Sequence, residues 1–175
     1  MILIKGNSGS GKSKFAEDYV CRIAGKGEKY YIATMTVFGE EGVKRVEKHR
    51  KQRSGKGFIT IEQQKNMQEI MQKYDFSKSS VLLECLTNLV ANEMFQKEEV
   101  VSGQLVVEKI YADMVELNQR AAHLFLVSGN QFEEKDDYDT ETRNYIDTIY
   151  QLNNKLEKIA DEVIEVTEGN PVWTK

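Results

Sequence analysis

Proline and tryptophan occur once each in these 175 residues, and histidine and cysteine twice each. With a single proline the chain has none of the composition of a Pro-rich spacer or a disordered tail. The two cysteines, Cys21 and Cys85, lie far apart without a CxxC spacing. That pattern suggests neither a zinc site nor a disulfide framework, and it fits a reducing, cytoplasmic setting. Long apolar runs are missing too: in the N-terminal MILIKGNSGSGKS the apolar stretch stops at Lys5, too early for a signal peptide or a membrane span. Nor is there an excess of positive charge. The net charge of -4 argues against a nucleic-acid-binding coat and leaves room only for a local basic patch, such as 44–56, able to hold phosphate.

What is present is ordinary globular composition, with 40% hydrophobic and 30% charged residues. At this length we expect one compact domain spanning residues 1–175. Short apolar runs predict buried strands at Ile2–Lys5, Tyr30–Thr34, Phe58–Ile61, Val81–Leu86, Leu124–Ser128 and Val163–Val166. Segments of helical period fall between them, at Lys12–Ile23, Glu40–Arg53, Met67–Tyr74, Leu86–Phe95, Leu105–Ala122 and Thr140–Ala160. Strands alternating with helices imply parallel crossovers and a sheet covered on both faces, an α/β layer fold. The acidic run 133–142 reads as a surface loop, and EGNPVWTK at the C-terminal end as a terminal edge segment packing one aromatic ring.

Directly after the first predicted strand, Gly6-Asn7-Ser8-Gly9-Ser10-Gly11-Lys12-Ser13 satisfies GxxxxGK[ST], and a helical pattern follows it. Glycines let successive N–H groups turn towards phosphate oxygens, and a helix N-terminus adds partial positive charge. Lys12 then reaches the β/γ oxygens and Ser13 supplies a hydroxyl to Mg²⁺. Such a loop works with a carboxylate at the end of a neighbouring strand, and Val81-Leu82-Leu83-Glu84-Cys85-Leu86 offers Glu84. Parallel strands open their carboxyl ends onto one crevice, so Glu84 and the loop are expected to face the same pocket, with Ser13 and Glu84 as the metal-holding pair. Cys85 reads as a small buried apolar residue, not a reactive thiol.

RVEKHRKQRSGKG, residues 45–57, places His49 among cations. On a helix Arg45, His49 and Arg53 share one face, while Val43 and Val46 turn towards a core. Two readings stay open at this point. The stripe is a solvated basic face, or it is a polyphosphate site whose imidazole is kept neutral, hence nucleophilic, by its neighbours. His123, opening an apolar strand, reads as structural.

GNSGSGKSKFAE, YYIATM, RVEKHRKQRSGKGFITIE, VLLECLTNLVANEMF, LFLVSGN and YQLNNKLEKIADEVIEV follow one another along nearly the whole chain. In that order they resemble the landmarks of the adenosylcobinamide kinase / adenosylcobinamide-phosphate guanylyltransferase family, HRxxR followed by a strand ending in TxE being the specific part. The resemblance implies a P-loop NTPase-like three-layer fold with a mostly parallel central sheet. It also implies a bifunctional cytoplasmic enzyme of cobalamin biosynthesis, which phosphorylates adenosylcobinamide with ATP or GTP and then transfers GMP from GTP to the product. His49 matches the histidine that carries GMP, with Lys12 catalytic beside it. The resemblance places nucleotide and Mg²⁺ on Gly6, Asn7, Ser8, Gly9, Ser10, Gly11, Lys12 and Ser13, with Ala33, Thr34, Met35, Arg50, Lys51, Gln52, Arg53, Glu62 and Glu84 completing the site. Small-molecule substrates, no nucleic acid, no membrane span and a homo-trimer are implied as well.

The chain departs from the family pattern in places. Gly9 stands where arginine is usual, Ser54 where proline is, and Phe58 where tryptophan is. Ser128-Gly129-Asn130-Gln131-Phe132 replaces a segment that usually carries a carboxylate. That replacement makes a kinase retaining phosphoryl transfer alone the second reading, and a GTP-binding module without turnover the third.

Overall fold

Each central strand sends alternate residues to opposite sides, as the strand period of two requires. The structure is a computed structural model describing residues 1–37, 39–96, 99–130 and 138–175, without the side chains of Glu41 and Arg45. In chain order the elements are β1 (Ile2–Lys5), α1 (Lys12–Ala24), β2 (Lys29–Ala33), α2 (Gly39–Arg53), β3 (Phe58–Glu62), α3 (Gln68–Lys73), β4 (Ser80–Glu84), α4 (Leu86–Met94), α5 (Gly103–Arg120), β5 (His123–Ser128), α6 (Thr140–Ile159), β6 (Glu162–Thr167) and β7 (Asn170–Trp173). One sheet runs β3-β2-β4-β5-β1-β6-β7, parallel throughout except for the antiparallel β7.

On one face Leu3, Ile32, Leu83, Leu126 and Val163 pack with Leu89 of α4, Ile110 and Met114 of α5, and Ile149 and Leu152 of α6. On the other, Ile4, Tyr31, Leu82, Phe125, Val127 and Ile164 pack with Ala16, Tyr19 and Val20 of α1. Two buried faces explain why these strands read as near-continuous apolar runs. The expected three-layer α/β fold, mostly parallel, is the one observed.

Differences from the sequence reading lie at ends and edges. The acidic run and the last predicted helix overlap at 140–142, and the structure gives these residues to α6, from Thr140 as the helical period predicts: the Asp139 side chain accepts a hydrogen bond from the Thr142 N–H at 2.7 Å and starts the helix there. Residues 133–137 of that loop lie outside the described residues. Helix α5 begins two residues earlier than its apolar period, because Ser102 caps it through the Leu105 N–H. The C-terminal edge segment is a true strand. Glu168 and Gly169 both take positive φ, 50° and 80°, forming the two-residue turn that joins β6 to β7. Trp173 meets the rings of Phe15 and Tyr19 edge-on.

Helix α2 corrects one expectation. Val43 is 48% exposed and Val46 only partly covered, so they do not turn into a core. The helix is held instead by the polar groups of its C-terminal half. Arg50 pairs with Glu62, Arg53 lies 3.6 Å from the centroid of the Tyr31 ring, and His49 stands beside Glu84. The Arg45 side chain of the expected cationic stripe lies outside the described residues.

Candidate nucleotide-transfer site

Parallel register brings the carboxyl ends of the strands into one row. Ala33 is paired with Glu62 on one side and with Glu84 on the other, Glu84 with Val127, and Lys5 with Ser128. The loop from Gly6 to Gly11 leaves β1 at the same edge, where open parallel sheets hold their ligands.

The loop is braced by its neighbours. Gly6 N–H donates to the Ser128 carbonyl at 3.3 Å, and Gly169 N–H, from the β6–β7 turn, donates to the Ser10 carbonyl at 2.7 Å. Gly9 and Gly11 adopt φ of +77° and +86°, the left-handed backbone that lets N–H groups turn inward. A Cβ at Gly6 would lie 2.5 Å from the Val166 carbonyl oxygen and 2.6 Å from Ser10 Oγ. Gly6→Ala should therefore cost about 1–3 kcal/mol and distort the loop. We expect a lower urea midpoint together with weakened retention on immobilised nucleotide.

Helix α1 starts at Lys12, so Lys12 and Ser13 occupy its first turn, where unpaired N–H groups favour an anion. Lys12 Nζ donates to the Asn7 carbonyl at 2.9 Å. Burial pushes the Lys12 ammonium below the usual lysine range, against the opposing pull of Glu84. Ser13 Oγ donates a short hydrogen bond to Glu84 Oε1, and His49 Nδ1 stands 3.9 Å from the same oxygen. Burial pushes the Glu84 carboxyl up, and the Ser13 hydroxyl and His49 oppose the shift. The loop, the strand-end carboxylate and the histidine thus lie together at the carboxyl edge of the sheet.

Glu17, one helical turn beyond Ser13 on α1, has a side chain with 0% exposure and joins His49 and Glu84. Lys56 holds it at 2.8 Å and Asp18 at 2.7 Å. Burial works against the Lys56 charge, but its hydrogen bonds to Asp18 and Glu17 outweigh that and raise its pKa. The pair's contribution is therefore complete at neutral pH and is lost only as pH rises through the elevated lysine value. Lys56→Ala leaves Glu17 buried without a counter-charge, and about 3 kcal/mol of stability should be lost in urea unfolding at pH 7.

The remaining sequence-assigned residues divide into two groups. Thr34 is buried: its hydroxyl donates to the Cys85 carbonyl at 2.8 Å and accepts from the Cys85 N–H at 2.6 Å, tying β2 to the end of β4. Asn92 adds a bond from its side-chain amide to the Thr34 carbonyl, and Ala33 and Met35 flank this knot. Arg53 is buried against Tyr31, and Gln52 is partly buried. By contrast Arg50 and Glu62 form an exposed pair at the rim, and Lys51, Asn7, Ser8 and Gly9 are exposed. Burial pushes the Cys85 thiol up, in keeping with an unreactive packing residue. Of the altered 128–132 segment, Gly129 and Asn130 are tied to Asn153 and Glu165, while 131 and 132 lie outside the described residues.

The sequence reading missed Glu17, Lys56 and Tyr31. One signal for Glu17 was available: a carboxylate four residues after Ser13 falls on the same helical face, directly beside apolar Ala16. Nothing local marks Lys56 as its partner.

A glycine-rich loop between a strand and a helix, a strand-end carboxylate and a parallel sheet define a P-loop nucleotide-binding α/β protein. The solved flagellar accessory protein FlaH from Methanocaldococcus jannaschii shares the fold, with a TM-score of 0.56 at 13% identity over 99% of this chain and 77% of that one. Within that class, the profile of the cobinamide kinase / cobinamide phosphate guanyltransferase family matches residues 2–173, and the chain belongs to that family. It is 35% identical over 95 residues to the bifunctional adenosylcobalamin biosynthesis protein CobU of Escherichia coli, a match spanning 54% of this chain and 50% of that protein. The protein of the same description from Salmonella typhimurium is 25% identical over 100% of this chain and 99% of its own length. Among the described residues, no helix is long and apolar enough to cross a membrane.

Proposed function

We propose that this chain is a bifunctional transferase of cobalamin biosynthesis, phosphorylating adenosylcobinamide and then moving GMP from GTP onto adenosylcobinamide phosphate through His49. The observation that carries the reading is the 3.9 Å approach of His49 to Glu84, which is itself bonded to Ser13 of the phosphate loop. A nucleophile and a triphosphate cradle are thereby within reach of one GTP.

In the guanylyl half, neutral imidazole attacks the α-phosphorus of GTP. An N–P bond forms, the bond to the bridging oxygen breaks, and pyrophosphate leaves. Lys12 and the backbone N–H groups of the loop meet the charge developing on the leaving group. The phosphate of adenosylcobinamide phosphate then attacks the same phosphorus and releases the imidazole, splitting one hard transfer into two easier ones. In the kinase half the loop holds ATP or GTP for in-line attack by the substrate hydroxyl on the γ-phosphorus.

Ser13 and Glu84 offer the hard oxygen donors that Mg²⁺ takes, and Glu84 Oε2 is buried without a hydrogen-bond partner. These residues would hold the ion, which supplies charge neutralisation for the phosphates when bound. A cytoplasmic homo-trimer, which the family resemblance implies, belongs to the same proposal.

Incubation with α-labelled GTP tests it. Label should stay on the protein, labile to acid and stable to alkali as a phosphoramidate is, and should chase into product when adenosylcobinamide phosphate is added. Phosphorylation of adenosylcobinamide without any protein-bound label would leave the kinase-only reading standing instead.

A further inference from the structure

Glu17, His49 and Glu84 come together, and each carries one ligand-type atom without a hydrogen bond: Glu17 Oε1, His49 Nδ1 and Glu84 Oε2. The two carboxylates already have their other oxygen engaged. Lys56 takes Glu17 Oε2, and Ser13 takes Glu84 Oε1. The Tyr31 hydroxyl faces the Glu84 carboxylate and favours its charged form, while Oε2 itself is left without a partner of hydrogen-bond geometry. Glu17 has 0% side-chain exposure, Glu84 10% and His49 26%, so water has little access to relieve them. Leaving such groups unpaired is costly, and each calls for a reason.

We propose that Glu17, His49 and Glu84 form a site for one transition-class divalent cation, of the kind represented by Zn²⁺ or Co²⁺, in the nucleotide-free protein. One ligand atom from each residue lies within 4.8 Å of the others, and among the described residues no other trio of such side chains comes together. A tetrahedral ion bound at about 2.0–2.2 Å holds its ligands roughly 3.4 Å apart. Closing that difference takes about 1 Å of side-chain rotation, with a water completing the shell. Two carboxylates and one imidazole favour Zn²⁺ or Co²⁺, whereas Mg²⁺ prefers an all-oxygen octahedron and binds an imidazole poorly. Lys56 does not neutralise the trio, because Asp18 shares its charge with Glu17.

The ion has a chemical consequence, which rests on the proposed function. Coordination through Nδ1 occupies that lone pair and leaves the ring proton on Nε2. Neither nitrogen then has an electron pair to offer phosphorus, so His49 is silent whichever nitrogen attacks. Glu84 belongs both to this site and to the expected nucleotide site. GTP with Mg²⁺ is therefore a competitor that releases the ion and frees the histidine.

The experiment uses the chelator-stripped, nucleotide-free full chain. With His49 and His123 the only histidines, ring ¹H–¹⁵N spectra are simple, and His123, exposed at the start of β5, is an internal control. One equivalent of Zn²⁺ should shift the His49 signals and leave those of His123 in place. Co²⁺ titrated in the visible region should saturate at one equivalent, with affinity at least tenfold weaker in Glu17→Gln, and excess GTP with Mg²⁺ should bleach the bands. Unmoved His49 signals, or equal affinity in wild type and Glu17→Gln, would overturn the site. Protein labelling from GTP should slow at least tenfold with one equivalent of Zn²⁺ and recover on chelation; unchanged labelling with Zn²⁺ bound overturns the silencing. Absence of labelling with and without the ion strikes the proposed function alone, since the spectra judge the site independently.

Discussion

Replacing His49 with alanine is expected to abolish protein-bound label from α-labelled GTP and to lower guanylyl transfer by at least about 10³-fold, the scale on which loss of a covalent nucleophile acts. Phosphorylation of adenosylcobinamide should survive within a fewfold, because the imidazole has no part in the γ-phosphoryl step. The two reactions therefore separate in one variant, measured by product analysis with ATP alone and then with GTP added. The fold should be unaffected. His49 lies on α2, a helix that contributes no apolar residue to either core cluster, and it is partly exposed. Equal losses in both activities would mean that the histidine shapes the loop and does not carry the nucleotidyl group.

Lys12→Ala should behave in the opposite way, with both reactions falling together by about 10²–10³-fold, as expected on losing one preorganised charge from a transition state. Arginine should not restore them, since a planar guanidinium does not occupy the space of a compact ammonium. Stability should move against activity. Burial holds the folded Lys12 pKa below its unfolded value, so the ammonium costs stability at neutral pH, and the cost fades as pH rises through the folded value. Lys12→Ala should accordingly unfold at a urea concentration equal to or above that of wild type at pH 7. That pairing of lost activity with unchanged or raised stability would mark the Lys12 charge as one kept for function.

What could be read from the chain was local. The phosphate loop is contiguous, and the strands are short apolar runs because both of their faces are covered, so periodicity and one motif sufficed for the architecture. Glu84 was legible because a carboxylate at the end of a buried strand stands out. Glu17 was not, because its burial depends on Lys56, which arrives from beyond α2 and β2. Helix α2 misled for a related reason. Its valines have helical spacing, but ionic and aromatic contacts at its C-terminal half decide how it sits, and none of these partners is near in sequence. The turn at Glu168 and Gly169 was missed because the positive φ at Glu168 is imposed by pairing of β6 with β7, not signalled by residue type.

That turn has a bearing on how the protein is made. The Ser10 carbonyl accepts from Gly169, Gly6 lies under Val166, and β1 is flanked on one side by β6. The loop emerges well before its bracing, which comes with residues 162–173. Until then β1 has an unpaired edge, open to association with other strands. A nascent chain therefore acquires its grip on triphosphate late, at the moment two segments far apart in sequence meet.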